Sequence, residues 1–471
     1  MAKKLKEGYY VGKGEKWSYA LYILGENIFY ALVALNIQTF FSDVGITAVS
    51  VASILFITKV WDAINDPLFG VILDKIRFKK GRFLPWIRIA VPLIGLSSIF
   101  LFMLPVGMSP VPKMIWAVIG YIAWDMSFTL SDVPCFVLPS SMTGNIKERT
   151  DILAFGRFFA LIGTVAGSMV LPIVQARAGW MMTGVVISVI SMLIMLPICF
   201  TAKERNIVRS EKDVSLKEMI HFVAKNKYLL IFYVGMFISQ MSNFAQAMNI
   251  FFARYNLGNQ DLASLFGLIG MVPMLLSGAI APLLVKKIDK FKVFYICSII
   301  TAVISATRYF VGYNNLVVYV VFNSLQSLFS GITSVLLYMF TPDCTEYGTY
   351  HTGERADGVA VSVQTFFIKL TGSVSGPLAM LIVGFFGFVS GENAVQPQSA
   401  LTGIWLCMSL LPAIGMVIAI LAWSRYKLRD KDVQIMAEYN SGKISKQEAE
   451  EKLADKFGPA ADLSNITVTQ G

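Results

Sequence analysis

Twelve apolar runs divide the chain, at approximately 17–41, 47–73, 83–105, 113–138, 151–175, 179–201, 228–254, 262–284, 291–312, 315–340, 357–387 and 401–424. Each is near the roughly 20 residues a helix needs to span a bilayer. The connections between them are short and polar, and basic residues gather in alternate ones. Loop 2–3 carries Lys75, Arg77, Lys79, Lys80 and Arg82, and loop 8–9 carries Lys286, Lys287, Lys290 and Lys292. Loop 6–7 holds Lys203, Arg205, Arg209, Lys212, Lys217, Lys225 and Lys227, while the odd-numbered loops are nearly free of lysine and arginine. Basic short loops stay in the cytoplasm, so both termini are expected there. The longest internal connection, 202–227, separates two sets of six runs whose basic loops 2–3 and 8–9 correspond. This predicts an all-α polytopic membrane protein: a six-helix bundle over 1–201, a middle loop over 202–227, a second bundle over 228–424, and a cytoplasmic tail over 425–471. The tail is polar, with two short helices expected over 430–440 and 445–457, interrupted at Ser441-Gly442. It is read as a solvated appendage in preference to a regulatory element, with its last dozen residues unstructured.

Composition agrees. The 471 residues are 55% hydrophobic and 15% charged, and the mean hydropathy is +0.63, outside the range of soluble domains of this length. The net charge of +10 belongs to the loops and is no nucleic-acid signal. Cys135, Cys199, Cys297, Cys344 and Cys407 form no CxxC pair, and His221 and His351 fall in loop-like stretches. Disulfide frameworks, zinc sites and histidine metal sites are therefore not expected. The first apolar run is too long for the core of a cleavable signal peptide.

Charges inside the apolar runs carry the chemistry. Run 2 contains Lys59-Val60-Trp61-Asp62-Ala63-Ile64-Asn65-Asp66-Pro67. On a helix, Lys59, Asp62, Asn65 and Asp66 share one face. Charge at membrane depth is costly, points inward, and marks ion or substrate paths. Two carboxylates one turn apart need a proton, a cation or a base, which points to a cation site. The alternative is a structural ion pair with Lys59. Run 1 adds Glu26 and Asn27, and run 4 adds Asp125, Phe128, Thr129, Asp132 and Phe136 on one face. Run 5 carries Arg157, and run 11 carries Gln364, Thr365 and Lys369. If these converge, acids exceed bases by two, an excess that a cation or proton satisfies. Carboxylate and arginine beside aromatic rings also suit a hydroxylated ligand. A purely structural tie between Asp132 and Arg157 is the competing explanation.

Four pieces then acquire a common meaning: Trp61-Asp62-Ala63-Ile64-Asn65-Asp66-Pro67; Lys80-Gly81-Arg82-Phe83-Leu84-Pro85-Trp86; Asp132-Val133-Pro134 with Arg157-Phe158-Phe159; and Asp343-Cys344-Thr345-Glu346-Tyr347-Gly348 followed by Thr352-Gly353-Glu354-Arg355, Val363-Gln364-Thr365 and Lys369. Their order and spacing, from 17 to about 425, resemble the glycoside–pentoside–hexuronide:cation symporters, the melibiose permease branch of the major facilitator superfamily. The resemblance implies that superfamily's fold of twelve transmembrane helices in two pseudo-symmetric six-helix bundles. It implies Asp62, Asn65, Asp66 and Thr129 as cation ligands, with Lys59 and Lys369 in coupling. It implies Asn27, Glu26, Asp125, Phe128, Asp132, Phe136, Arg157 and Lys369 around a sugar, and Arg82, Arg149, Glu346, Tyr347 and Arg355 in gating loops. The chain departs from the melibiose permease at Asn27, where that protein has an acid, at Glu26 in place of a lysine, at Phe136 in place of tryptophan, and at Asp125 where a small residue is expected.

The expectation is therefore a multi-pass protein of the cell membrane that moves a sugar or glycoside with sodium, lithium or a proton by alternating access. The bilayer, the sugar and the coupling cation are its partners, and it acts as a monomer. No nucleic acid, cofactor, further metal or enzymatic activity is expected, since neither a metal cluster nor a nucleophile–base pair is visible. The alternative is a facilitator of the same fold for a lipid, drug or other amphipathic solute, for which the many phenylalanines speak.

Overall fold

Each of the apolar runs is helical in the computed structural model, which describes residues 10–76, 78, 81–205, 223, 224, 226–353, 357–391 and 394–461. Hydrocarbon offers no hydrogen-bond partners, so a spanning backbone must satisfy its own N–H and C=O groups. The first half contains α1 (Lys13–Val33), α2 (Ile37–Asp43), α3 (Ala48–Lys75), α4 (Leu84–Phe102), α5 (Pro110–Met142), α6 (Ile146–Met195) and α7 (Pro197–Thr201). The second half contains α8 (Lys227–Met241), α9 (Ala245–Phe251) with a π-helical turn at Phe252–Asn256, α10 (Leu262–Val285), α11 (Lys290–Val311), α12 (Leu316–Thr352), α13 (Asp357–Phe385), α14 (Gln398–Met408), α15 (Leu410–Trp423), α16 (Asp430–Asn440) and α17 (Lys446–Phe457). Among the described residues, eight helical stretches are long and apolar enough to cross a membrane. Runs 5 and 6 are joined without a loop: α6 continues through both, broken only at Gly179 (φ 72°, ψ 171°), a conformation that glycine adopts without a Cβ clash.

The chain forms two compact units. The first comprises Met1–Glu211, Ala245–Leu268 and Gly376–Ile404. Here α1 lies along α6, α3 along α5, and α4 against α5 and α6. Gly163 and Gly167 of α6 set the closeness of α1. A Cβ at Gly163 would stand 2.4 Å from the Leu24 carbonyl oxygen, and one at Gly167 would stand 2.6 Å from the Ala31 Cβ. Small residues four apart allow such backbone contact, and it fixes which face of α1 meets the bundle.

The second unit comprises Lys212–Phe244, Ile269–Ser375 and Trp405–Gly471. Its core is aromatic. Phe232 and Phe340 rings lie 4.8 Å apart, and Phe294 meets Trp423 edge-on at 4.6 Å. The Trp423 indole donates to the Phe232 carbonyl at 3.1 Å, which gives the buried N–H its partner. Arg308 is buried at a break between α14 and α15. Its guanidinium donates to the Met408 carbonyl, while the Ser305 hydroxyl donates to the Ser409 carbonyl at 2.7 Å. Both satisfy carbonyls that a broken helix orphans.

Two expectations need correction. The helices at 430–440 and 445–457 form almost as expected, yet the tail is docked and not a solvated appendage. Met436, Tyr439, Ala449 and Leu453 are buried, and α16 packs on α12. High charge hid an apolar stripe at helical spacing. His351, expected in a loop, lies in the last turn of α12, which ends at Gly353 (φ 74°). His221 and the last ten residues lie outside the described residues.

Candidate substrate and cation site

The polar residues of the first unit come together along α5. On α3, the Asn65 amide donates to the Thr129 hydroxyl of α5 at 3.1 Å. Both side chains are buried, so this bond locks the register of the two helices where the acidic face of α3 begins. One turn earlier, the Lys59 ammonium stands 3.4 Å from the Asp62 carboxylate. That pair is loose, with side-chain exposures of 29% and 23%, and Tyr121, Asp125 and Tyr30 share its field. Asp125 itself is buried. The Asp66 backbone continues α3, but its side chain lies outside the described residues.

A second polar contact joins α1 to α5. Glu26 is buried and accepts from the Ser131 hydroxyl. Ser131 also pairs with the Tyr22 hydroxyl at 2.7 Å. Asp132, half-buried on α5, lies close enough to act on Glu26 electrostatically. Asn27 turns elsewhere: its amide donates to the Ile23 carbonyl of its own helix at 2.9 Å and accepts from Thr164 of α6 at 3.3 Å. The Arg157 guanidinium lies 4.9 Å from the centre of the Phe136 ring, in cation–π range. Arg157 is exposed and Phe136 is 42% exposed, so this platform is open. Tyr121, Trp124, Phe128 and Tyr30 form an aromatic chain, with successive ring centres 5.6, 5.2 and 6.1 Å apart.

Lys369 lies on α13 with its side chain outside the described residues, as does the whole of Arg355. The other gating candidates are placed. The Arg82, Phe83 and Leu84 N–H groups donate to the Glu204 carboxylate at 2.9, 2.9 and 2.7 Å, so an acid caps the N-terminus of α4. Arg149 is half-buried in the first turn of α6. Asn440 of the tail donates to the Glu346 carboxylate at 2.8 Å and to its carbonyl at 2.9 Å. Tyr347 packs edge-on against Tyr228 at 4.7 Å.

Two features escaped sequence reasoning. Glu204 looked like one charge in a basic loop. Asp43 and Arg254 are 211 residues apart, each at the end of an apolar run. They form a buried ion pair to which the Trp180 indole adds a 2.8 Å hydrogen bond. Gln260 extends it, accepting from Arg254 at 2.8 Å and donating to Gln175 at 2.6 Å. Charge at a run end resembles ordinary loop charge, so only the partner reveals it.

Helices of membrane-spanning length, with charged and hydroxyl side chains gathered between them, define a membrane carrier for a small polar solute. The family model described as MFS/sugar transport protein matches residues 18–430, and the chain belongs to that family. This bears out the resemblance drawn from the motifs. The chain is similar to the isoprimeverose transporter of Lactiplantibacillus pentosus, 25% identical over 94% of this chain and 93% of that one. It is also similar to the glucuronide carrier protein homolog of Escherichia coli (strain K12), 24% identical over 91% of this chain and 96% of that one. The same fold is seen in the crystal structure of the nucleoside transporter NupG, with a TM-score of 0.61 at 14% identity, covering 88% of this chain and 99% of that one. The protein is thus a multi-pass membrane transporter of the major facilitator superfamily.

Proposed function

We propose that the protein is a secondary active symporter, driving a sugar or glycoside across the cell membrane with a cation. The observation that carries this is the α3–α5 junction, where the buried Asn65–Thr129 bond holds an open, loosely paired Asp62 in place. In this reading Asp62, Asn65, Asp66 and Thr129 receive sodium, lithium or a proton. Lys59 competes for Asp62 when the cation is absent and is released when it binds. The hydroxyls of the sugar meet Arg157 and Asp132, and its apolar face covers the Phe136 ring. Glu26 and Asn27 set the position of α1 beside it, Asp125 and Phe128 close one wall, and Lys369 links cation to sugar.

Twelve spans with both termini in the cytoplasm, acting as a monomer, then rock between two states. Coupling arises because the empty and fully loaded carriers reorient more readily than the half-loaded one. The relatives named as an isoprimeverose transporter and a glucuronide carrier protein homolog support the glycoside, pentoside or hexuronide class. Vesicle uptake tests the proposal. Galactosides, xylosides, glucosides and glucuronides are offered with a sodium gradient, a proton gradient or neither. Accumulation of one class under one gradient is the expected result, and Asp66→Asn abolishes the dependence on that gradient while leaving sugar binding. Gradient-independent equilibration would make the protein a facilitator and reduce Asp62 and Asp66 to structural groups.

A further inference from the structure

A groove outside the proposed transport site runs along the first unit between α4 and the end of α6 with α7. Its volume is about 670 Å³, and Arg88, Pro92, Val189, Leu193, Cys199 and Phe200 are among its lining residues. Arg88 is the one charged residue of that lining. The side chain is exposed, yet it is not free to wander. Its Nε donates to the Cys199 carbonyl at 2.9 Å, one of the carbonyls orphaned at the end of a helix. That bond anchors the guanidinium at this end of the groove, and among the described residues its terminal nitrogens take no further hydrogen bond. Among the described residues no carboxylate pairs with it. Pro92, one turn further, has no N–H to offer the Arg88 carbonyl. The head of the groove therefore concentrates positive charge and an acceptor without its helix donor. The walls are otherwise apolar and open, with Leu193 61% and Phe200 81% exposed.

The dimensions decide what fits. From Val189 to Phe200 the wall is twelve residues of near-continuous helix, about 16 Å from first to last. One leaflet contributes about 15 Å of hydrocarbon. The charged end is where α4 emerges from the basic loop Lys75–Arg82, the side that charge bias assigns to the cytoplasm.

We propose that this groove is a binding site for one anionic phospholipid of the cytoplasmic leaflet, with an acyl chain along α6 and its phosphate on Arg88. Snorkelling alone would need neither the bond to Cys199 nor a groove of leaflet length. An anionic headgroup is favoured over a zwitterionic one because no carboxylate among the described residues lines the groove and the adjoining loop is basic.

The test is native mass spectrometry of the full-length protein, delipidated in neutral detergent and titrated with phosphatidylglycerol or phosphatidylcholine. One phosphatidylglycerol is expected to bind at least about tenfold more tightly than phosphatidylcholine. Arg88→Gln is expected to weaken it about tenfold through the lost charge-assisted bonds, and Arg88→Lys by less. Leu193→Trp, which fills the groove without touching the charge, is expected to weaken it as well. Circular dichroism and unaltered oligomeric state show that each variant is folded. Equal binding of the two lipids, or wild-type binding by both Arg88→Gln and Leu193→Trp, would overturn the proposal. So would displacement of the lipid by millimolar glycerol 3-phosphate, which would make the site one for a soluble phosphate.

Discussion

Two ion pairs in the first unit have the same chemistry and opposite surroundings. Asp43–Arg254 is tight and enclosed, with side-chain exposures of 1% for the acid and 12% for the base, and Trp180 and Gln260 satisfy further polar atoms. Lys59–Asp62 is stretched to 3.4 Å and about a quarter exposed on both sides. A buried pair supported by neighbouring hydrogen bonds has no reason to exchange partners, because breaking it strands a charge. An open pair held by one long contact costs little to break. The first arrangement is that of a structural tie, and the second is the one that the proposed exchange of Lys59 for a coupling cation requires.

The difference can be broken or sharpened by substitution. The largest effect is expected from Arg254→Met, which strands Asp43. It should destabilise the protein by about 3–5 kcal/mol in detergent unfolding, with much of that recovered when Asp43→Leu is added. A loss under 1 kcal/mol for the single variant would remove the distinction. Asp62→Asn should change stability by no more than about 1 kcal/mol, yet bring cation-driven accumulation down to the level seen without a gradient. If it unfolds as readily as Arg254→Met, Asp62 is a structural group too.

Thr129→Val should show an intermediate result, since it deletes one buried hydrogen bond worth about 1 kcal/mol. The cation concentration for half-maximal uptake is expected to rise about fivefold, with the maximal rate less affected. The smallest change belongs to Phe136→Leu, which removes a cation–π contact of about 0.5–1 kcal/mol. It should raise the half-saturating sugar concentration about threefold and leave the cation requirement as it was. A shift in the cation requirement instead would couple the platform to α3.

Much of this was legible beforehand. Apolar length and loop charge predicted the helices, though not where α12 ends, because hydrocarbon thickness and backbone self-satisfaction leave few alternatives for a spanning segment. Intramembrane charge marked α3 and α5 for the same reason. Legibility failed where a residue's meaning lay in a distant partner. The role of Arg308 follows only from the break at Ser409, which exposes the carbonyls that it and Ser305 satisfy. The tail read as solvated because its charge outweighed a few apolar positions, and α12, on which α16 packs, lies about ninety residues earlier in the chain.

The chain alone thus determined the class: twelve apolar runs, their basic loops, and an acidic face on the second run all follow from local composition and period. Tertiary structure decided what those groups do. It made Asn65 and Thr129 partners, left Asp62 loosely held, spent Asn27 on its own helix and on Thr164, and enclosed Asp43 with Arg254. A residue's cost in the membrane is a property of its own side chain, whereas its availability depends on every neighbour that packing brings within about 4 Å.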